Sequence, residues 1–215
     1  MKLTRPDNRQ TGLTMIELLV VFACLCLLIT LLLPRVGRNP RRGPMIACVN
    51  NLKQVMLGQM VWANDHRSTN LPAGDVGFGR LLSSGDIASY YKTLSNELVS
   101  PKILACPSDS RKPAPDFQSL TTNHLSYFLN LDAMSGVDAS TVVNGDRHIT
   151  FTPAPHGPNV ILTTNLSMQW TKKLGHGDMG NISFLDGSVQ KTTSRYLATT
   201  LLSPSNTVPQ RLLFP

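Results

Sequence analysis

Charge is scarce in this 215-residue chain: 15% of residues are Asp, Glu, Lys or Arg, against 41% hydrophobic. That balance excludes a chain held open by self-repulsion and argues for a packed core. Cysteine is scarcer still, with four residues, too few for a small scaffold stapled by disulfides. Low-complexity tracts and fixed-period repeats are missing, which removes solenoids and propellers. No Gly-x-Ser-x-Gly or Cys-x-x-Cys element occurs, so the sequence offers neither a hydrolase nucleophile elbow nor a common zinc spacing.

What charge there is lies unevenly. Twenty basic and 13 acidic residues leave a net +7. Residues 1–12 contribute +2, through Lys2, Arg5 and Arg9 against Asp7, and residues 35–67 contribute +5. From residue 68 onward the balance is only +1. A nucleic-acid-binding domain concentrates positive charge on its folded body, so nucleic acid is not an expected partner. The surplus instead flanks an apolar segment, as suits anionic lipid head groups; charge placed for solubility alone is the alternative.

That segment, Leu13 to Leu33, is 21 residues long with Glu17 as its single charge. As a helix it spans about 31 Å, matching a hydrocarbon core of about 30 Å. Only a helix satisfies its own backbone within lipid. A secretory signal peptide would end in a small-x-small cleavage site, whereas Leu31-Leu32-Leu33-Pro34 follows here. The run therefore reads as a retained anchor. Glu17 is its anomaly, since a carboxylate at the centre of a spanning helix costs about 2.5–3.5 kcal/mol on insertion scales, less near an end. With no Lys or Arg in the run, its partner is expected to be water, a proton or a positive group on another chain.

The stretch Gly12-Leu13-Thr14-Met15-Ile16-Glu17-Leu18-Leu19-Val20-Val21 resembles the processing site of type IV prepilins and type II secretion pseudopilins. The resemblance implies cleavage between Gly12 and Leu13 by a prepilin peptidase and N-methylation at Leu13. It also implies that Glu17 attracts the new terminus of an adjacent subunit during assembly, and that Pro34 bends the helix. In that family the leader is cytoplasmic and the head exported. Charge bias alone points the other way, because Arg35, Arg38, Arg41 and Arg42 outnumber the leader's positives; the motif is the more specific signal.

Beyond the anchor, Arg38-Asn39-Pro40-Arg41-Arg42-Gly43-Pro44 contains residues unfavourable inside a helix, so a kink or break is expected over 38–45. From Ile46 to Asn64 the residues Val49, Leu52, Met56, Met60 and Ala63 draw one helical stripe, with Cys48, Val55 and Trp62 beside it. A brief helix is expected over 79–85, and one or two more over 86–98. Extended pieces follow at 126–129, 142–143, 149–151 and 160–162. The strongest strand signal is the pair 181–185 and 188–191, joined by Asp186-Gly187 as a hairpin.

His176, nine intervening residues and then Asp186-Gly187 resemble the C-terminal signature of a pseudopilin-like group. Cys48-Val-Asn-Asn-Leu-Lys-Gln54, Cys106-Pro-Ser-Asp109, Ser126-Tyr127 and Gly145-Asp146-Arg147 fit the same group. His176 is expected to make a structural hydrogen bond to the hairpin; a metal site using Asp178 or Asp186, or catalysis, is the weaker alternative. His66, His124, His148 and His156 read as surface or turn residues. Cys24 and Cys26 should be free. Cys48 and Cys106 would share the exported side, where a bridge can form and would add about 4 kcal/mol on the chain-entropy account; two isolated thiols are the alternative.

The expectation is an α+β, pilin-like chain. It comprises a leader (1–12), a transmembrane helix (13–34), a basic Pro/Gly linker (35–45), an amphipathic helix (46–64) and a small antiparallel-sheet head (65–215). Its work is assembly, with no catalytic residue, metal or cofactor. Its partners are copies of itself or other pilins and pseudopilins, the prepilin peptidase and membrane lipid, with the chain a single-pass inner-membrane protein. Two rivals remain: a membrane-tethered binding module that never polymerises, and a His176-centred metalloprotein or hydrolase.

Overall fold

The structure, a computed structural model, describes residues 14–32, 42–67, 85–133, 138–163, 165–171, 176–202 and 210–215. The chain divides into two compact units, 1–39 and 40–215, each taken by itself. The expected leader, Pro34, most of the linker and most of the 79–85 helix lie outside the described residues.

In the first unit, helix α1 runs from Met15 to Leu32. Its start has a local cause. Thr14 and Glu17 form a capping box: the Glu17 amide donates to Thr14 Oγ1 at 3.3 Å, and the Thr14 amide donates to Glu17 Oε2 at 2.9 Å. Two amides that the helix leaves unpaired are thereby satisfied. Side chains from 14 to 30 are all exposed, so the helix presents apolar surface around its whole circumference. Among the described residues no helix is long and apolar enough to cross a membrane; the 21-residue apolar run extends past α1 at both ends.

The second unit opens with α2, Arg42–Asp65. It starts earlier than position 46 because Gly43 and Pro44 occupy its first turn, where a missing proline N–H breaks no helical bond. The buried face is also turned from the expected stripe. It follows Cys48, Leu52, Val55, Gln59 and Trp62, leaving Val49, Met60 and Ala63 at the flanks. Apolar spacing finds Cys48, Leu52, Val55, Met56 and Trp62, all buried, but not Gln59, which is fully buried among them. Gly58 lies on the same side, where a Cβ would come within 2.5 Å of Leu98.

Helix α3 (Ile87–Thr93) is capped by Asp86, whose carboxylate accepts from the Ser89 amide at 3.1 Å. Six strands build an antiparallel sheet: β1 (Tyr127–Asn130), β2 (Val142–Asp146), β4 (Asn159–Ile161), β6 (Met179–Phe184), β7 (Val189–Thr193) and β8 (Arg211–Leu213), in the order β4-β8-β1-β2-β6-β7. A separate pair joins β3 (Ile149–Thr152) to β5 (Ser167–Trp170), and α4 (Ser194–Leu201) follows β7. Alternation along the strands feeds two cores. Leu129 and Leu213 pack with Val55, Trp62, Tyr90, Tyr91 and Leu94. Phe128 and Leu212, one residue earlier on each strand, pack with Trp170, Ile182, Phe184 and Leu197. Both faces of the sheet are covered, which is why β1 and β2 are buried at every position.

One irregularity in β2 directs the rest. Val142 pairs with Phe184 but Asn144 pairs with Ser183, so two residues of β2 advance against one of β6. This bulge turns Asn144 and Asp146 toward α2, where unbroken alternation from Val142 would send them to the other core. There Asn144 Nδ2 donates to Gln59 Oε1 at 2.8 Å, and Gln59 Nε2 donates to Tyr90 Oη at 2.7 Å. Replacing Gln59 by Leu leaves Asn144 and Tyr90 buried without these partners. Chemical denaturation of the detergent-solubilised full chain should show a loss of about 2–3 kcal/mol.

Candidate functional site

The sequence pieces quoted above come from five separate places in the chain, and the fold draws them together at one end of α2. Cys48 comes from the first turns of α2. Cys106 ends the segment after a short 3-10 helix, Pro101–Leu104. Tyr127 opens β1, Asp146 closes β2, and His176 precedes β6. The loops are tied to this point by bonds to backbone carbonyls: Asn51 Nδ2 donates to the Ala105 carbonyl at 3.1 Å, and the Ser126 amide donates to the Leu104 carbonyl at 2.9 Å.

Cys48 and Cys106 are joined by a disulfide, with Cα atoms 5.1 Å apart, within the usual range for a bridge. Around the two sulfurs lie Tyr127 Oη, 3.5 Å from Cys48, and His176 Nε2, 3.3 Å from Cys106. The Ser108 amide donates to Cys106 Sγ at 3.4 Å. Asp146 is 2% exposed. Its Oδ2 accepts from the Asn181 amide at 2.7 Å and from Asn181 Nδ2 at 3.0 Å, and its Oδ1 lies 3.9 Å from Cys48 Sγ. His176 Nε2 is 3.6 Å from Asp146 Oδ2.

Electrostatics make this a pair poised between charge states. Burial pushes the Asp146 carboxyl up to about 7, against the opposing pull of the two Asn181 hydrogen bonds. Burial, then the nearby positive charges of His148 and Lys191, hold His176 below the ordinary imidazole range. Burial shifts both groups toward their neutral forms, and at 3.6 Å their contact is neither a hydrogen bond nor a fixed salt bridge.

Beside it lies a true ion pair. Arg147 donates through Nε to Asp109 Oδ2 at 2.7 Å and through Nη2 to Oδ1 at 2.9 Å, a bidentate geometry. His148 Nε2 reaches Asp109 Oδ1 at 3.1 Å. Burial opposes ionisation of Asp109, but the hydrogen bonds from His148 and Arg147 outweigh it and hold the carboxyl well below its usual range. Arg111 extends the network, donating to the carbonyls of Thr122 and Leu125 and to that of Pro215 at 3.2 Å. His148 is thus a buried partner of Asp109 and not a surface residue; its place next to Asp146 and Arg147 is the signal that spacing alone does not give. His66 and His156 are exposed, and His124 caps its own turn against Thr121.

The two ends of the His176…Asp186-Gly187 signature do not meet. His176 precedes β6 and the Asp-Gly pair follows it, with about 20 Å of strand between them. His176 makes its contacts with Cys106 and Asp146, not with the hairpin turn. At that turn the Gly187 amide bonds to the Phe184 carbonyl at 3.0 Å and Gly187 takes φ +82, while Asp186 Oδ1 accepts from the Ser188 amide at 2.8 Å. The loop is a three-residue turn closed by a left-handed glycine, not a two-residue one. Asp178 is exposed.

At the other candidate site, Gly12 and Leu13 lie outside the described residues, and Glu17 is exposed on the first turn of α1 with Thr14 as its hydrogen-bond partner. The Thr-x-x-Glu spacing announces that cap in the sequence, where the expectation named water, a proton or another chain and not Thr14. Cys24 and Cys26 are free and exposed.

Residues 7–33 match the family described as the prokaryotic N-terminal methylation motif. This supports a prepilin motif of the type IV pilin-like kind, processed by a prepilin peptidase. No curated protein and no solved structure matches the chain.

Because the folded chain holds Asp109 ionised more readily than the unfolded chain does, its contribution is complete above the unfolded value, about 3.9. It disappears as pH falls through the lower folded value. Asp109→Asn should cost about 2–3 kcal/mol at pH 7. Denaturant titrations at a series of pH values should find that gap constant above about pH 5 and closing below about pH 4.

Proposed function

We infer that the chain is a pilin- or pseudopilin-like structural subunit of an envelope assembly of the type II secretion or type IV pilus kind. The observation that carries this reading is the methylation motif over 7–33, with Glu17 one helical turn inside an otherwise apolar run. A peptidase cuts between Gly12 and Leu13, and Leu13 is methylated. The apolar helix anchors the subunit in the inner membrane by a single pass, leader side cytoplasmic and head exported. The run from His176 to Gly187 resembles the C-terminal signature of a pseudopilin-like group, which supports this reading of the head. The chain's activity is association with copies of itself or related subunits, without turnover.

The capping box gives Glu17 two tasks that can be separated. As the third helical residue it satisfies the start of its own helix, and as a charge it can meet the amino terminus of a neighbour. Gln in its place keeps an oxygen for the Thr14 amide but removes the charge. Glu17→Gln should therefore insert into membranes and be processed as in the wild type, yet fail to enter assembled filaments in a shear and pelleting assay. Equal assembly of the variant would favour a tether that does not polymerise. Mass spectrometry of the mature amino terminus should find methylated Leu13; a retained leader would overturn the processing step.

A further inference from the structure

We propose that Cys48, Cys106, Asp146 and His176 form a tetrahedral site for a zinc-class divalent ion, filled when the two cysteines are reduced and closed when they are joined. Among the described residues these four offer one ligand atom each, all within 4.8 Å of one another. A four-coordinate zinc ion with bonds of about 2.0–2.3 Å holds its ligands at tetrahedral edges of about 3.3–3.8 Å. The observed separations are 3.3 Å from Cys106 Sγ to His176 Nε2, 3.6 Å from His176 Nε2 to Asp146 Oδ2 and 3.9 Å from Cys48 Sγ to Asp146 Oδ1. They already have that scale. The two sulfurs must part, by rotation about their side-chain torsions, and the wider separations, up to 4.8 Å, must close.

The donor chemistry selects the ion. Two thiolates with an imidazole and one carboxylate suit zinc, whereas calcium and magnesium require a shell of oxygens. The supporting shell is in place. Asn181 fixes Asp146 Oδ2 by two hydrogen bonds and leaves Oδ1 toward Cys48, and the Ser108 amide points at Cys106 Sγ, a bond that a thiolate accepts far better than a disulfide sulfur. His176 Nε2 faces both Cys106 Sγ and Asp146 Oδ2, so one ring nitrogen is turned toward the centre of the cluster. Successive ligands are 58, 40 and 30 residues apart, which is why no local spacing announces them.

The two states exclude each other. A dithiol donor reduces the bridge, delivering two electrons and two protons and becoming a disulfide itself. The ion then displaces the two thiol protons as it binds both sulfurs. Oxidation by a disulfide acceptor reverses the sequence and expels the ion.

The test uses the full chain in detergent micelles, with Cys24→Ser and Cys26→Ser so that Cys48 and Cys106 are the remaining cysteines. After reduction, gel filtration and elemental analysis should find one zinc per chain, and added cobalt should give a thiolate-to-metal charge-transfer band that zinc abolishes. The oxidised protein should retain neither metal. Zinc affinity should fall by at least about tenfold in His176→Gln and in Asp146→Asn, and stay unchanged in His124→Gln. A reduced chain that retains no zinc, or one whose zinc is indifferent to both His176→Gln and Asp146→Asn, overturns the proposal. The comparison of the two redox states needs no ligand variant, so a misfolded variant cannot rescue it.

Discussion

A carboxyl group taken out of water must find donors or give up its charge, and Asp146 is where this head meets that constraint. The bulge in β2 turns it under α2. Asn181 supplies two hydrogen bonds from β6, and the remaining oxygen faces a cysteine of α2. Helix, sheet and the 106–109 loop therefore share one buried polar point, and the disulfide closes the same point covalently. Three turns along α2, the Gln59–Asn144–Tyr90 bonds repeat the arrangement without charge. The helix is registered on the sheet by polar contacts that only one rotation of α2 can satisfy, whereas its apolar residues would tolerate several.

This explains what could be read from the sequence. The strands at 127–130, 142–146, 149–152, 159–161 and the 179–193 hairpin were legible because β-branched and aromatic residues cluster between turn signals. Three elements were not. Strand β5 is four residues of Ser, Met, Gln and Trp, its alternation too short to stand out. Strand β8 is three residues long and exists through its pairing with β1 and β4. Helix α4 is Thr-rich, and its apolar face is little more than Leu197 and Leu201. On α2 the apolar part of the buried face was legible, while its centre was hidden because it is a glutamine. The motif fragments were each visible, but their convergence is a property of long-range pairing, which no local pattern encodes.

In the amino-terminal unit one side chain closes the start of its own helix. The first amides of a helix have no partner within it, and Thr14 and Glu17 resolve this within five residues of the apolar run's start. On the proposed assembly, a neighbouring subunit's terminus would meet an acceptor that this cap already orients, which would lower the entropy to be lost in the encounter.

The interval between His176 and Asp186 has a consequence of its own. Along β6, Asn181 and Ser183 address the polar groups of β2 beneath α2, while Gly180, Ile182 and Phe184 face Trp170 and the α4 side. Adding or deleting one residue within β6 would exchange the two sets across the change, presenting polar side chains to the oily layer and apolar ones to the polar layer. The strand is thus a ruler: substitutions inside it can be absorbed one by one, but its length is quantised by the pleat.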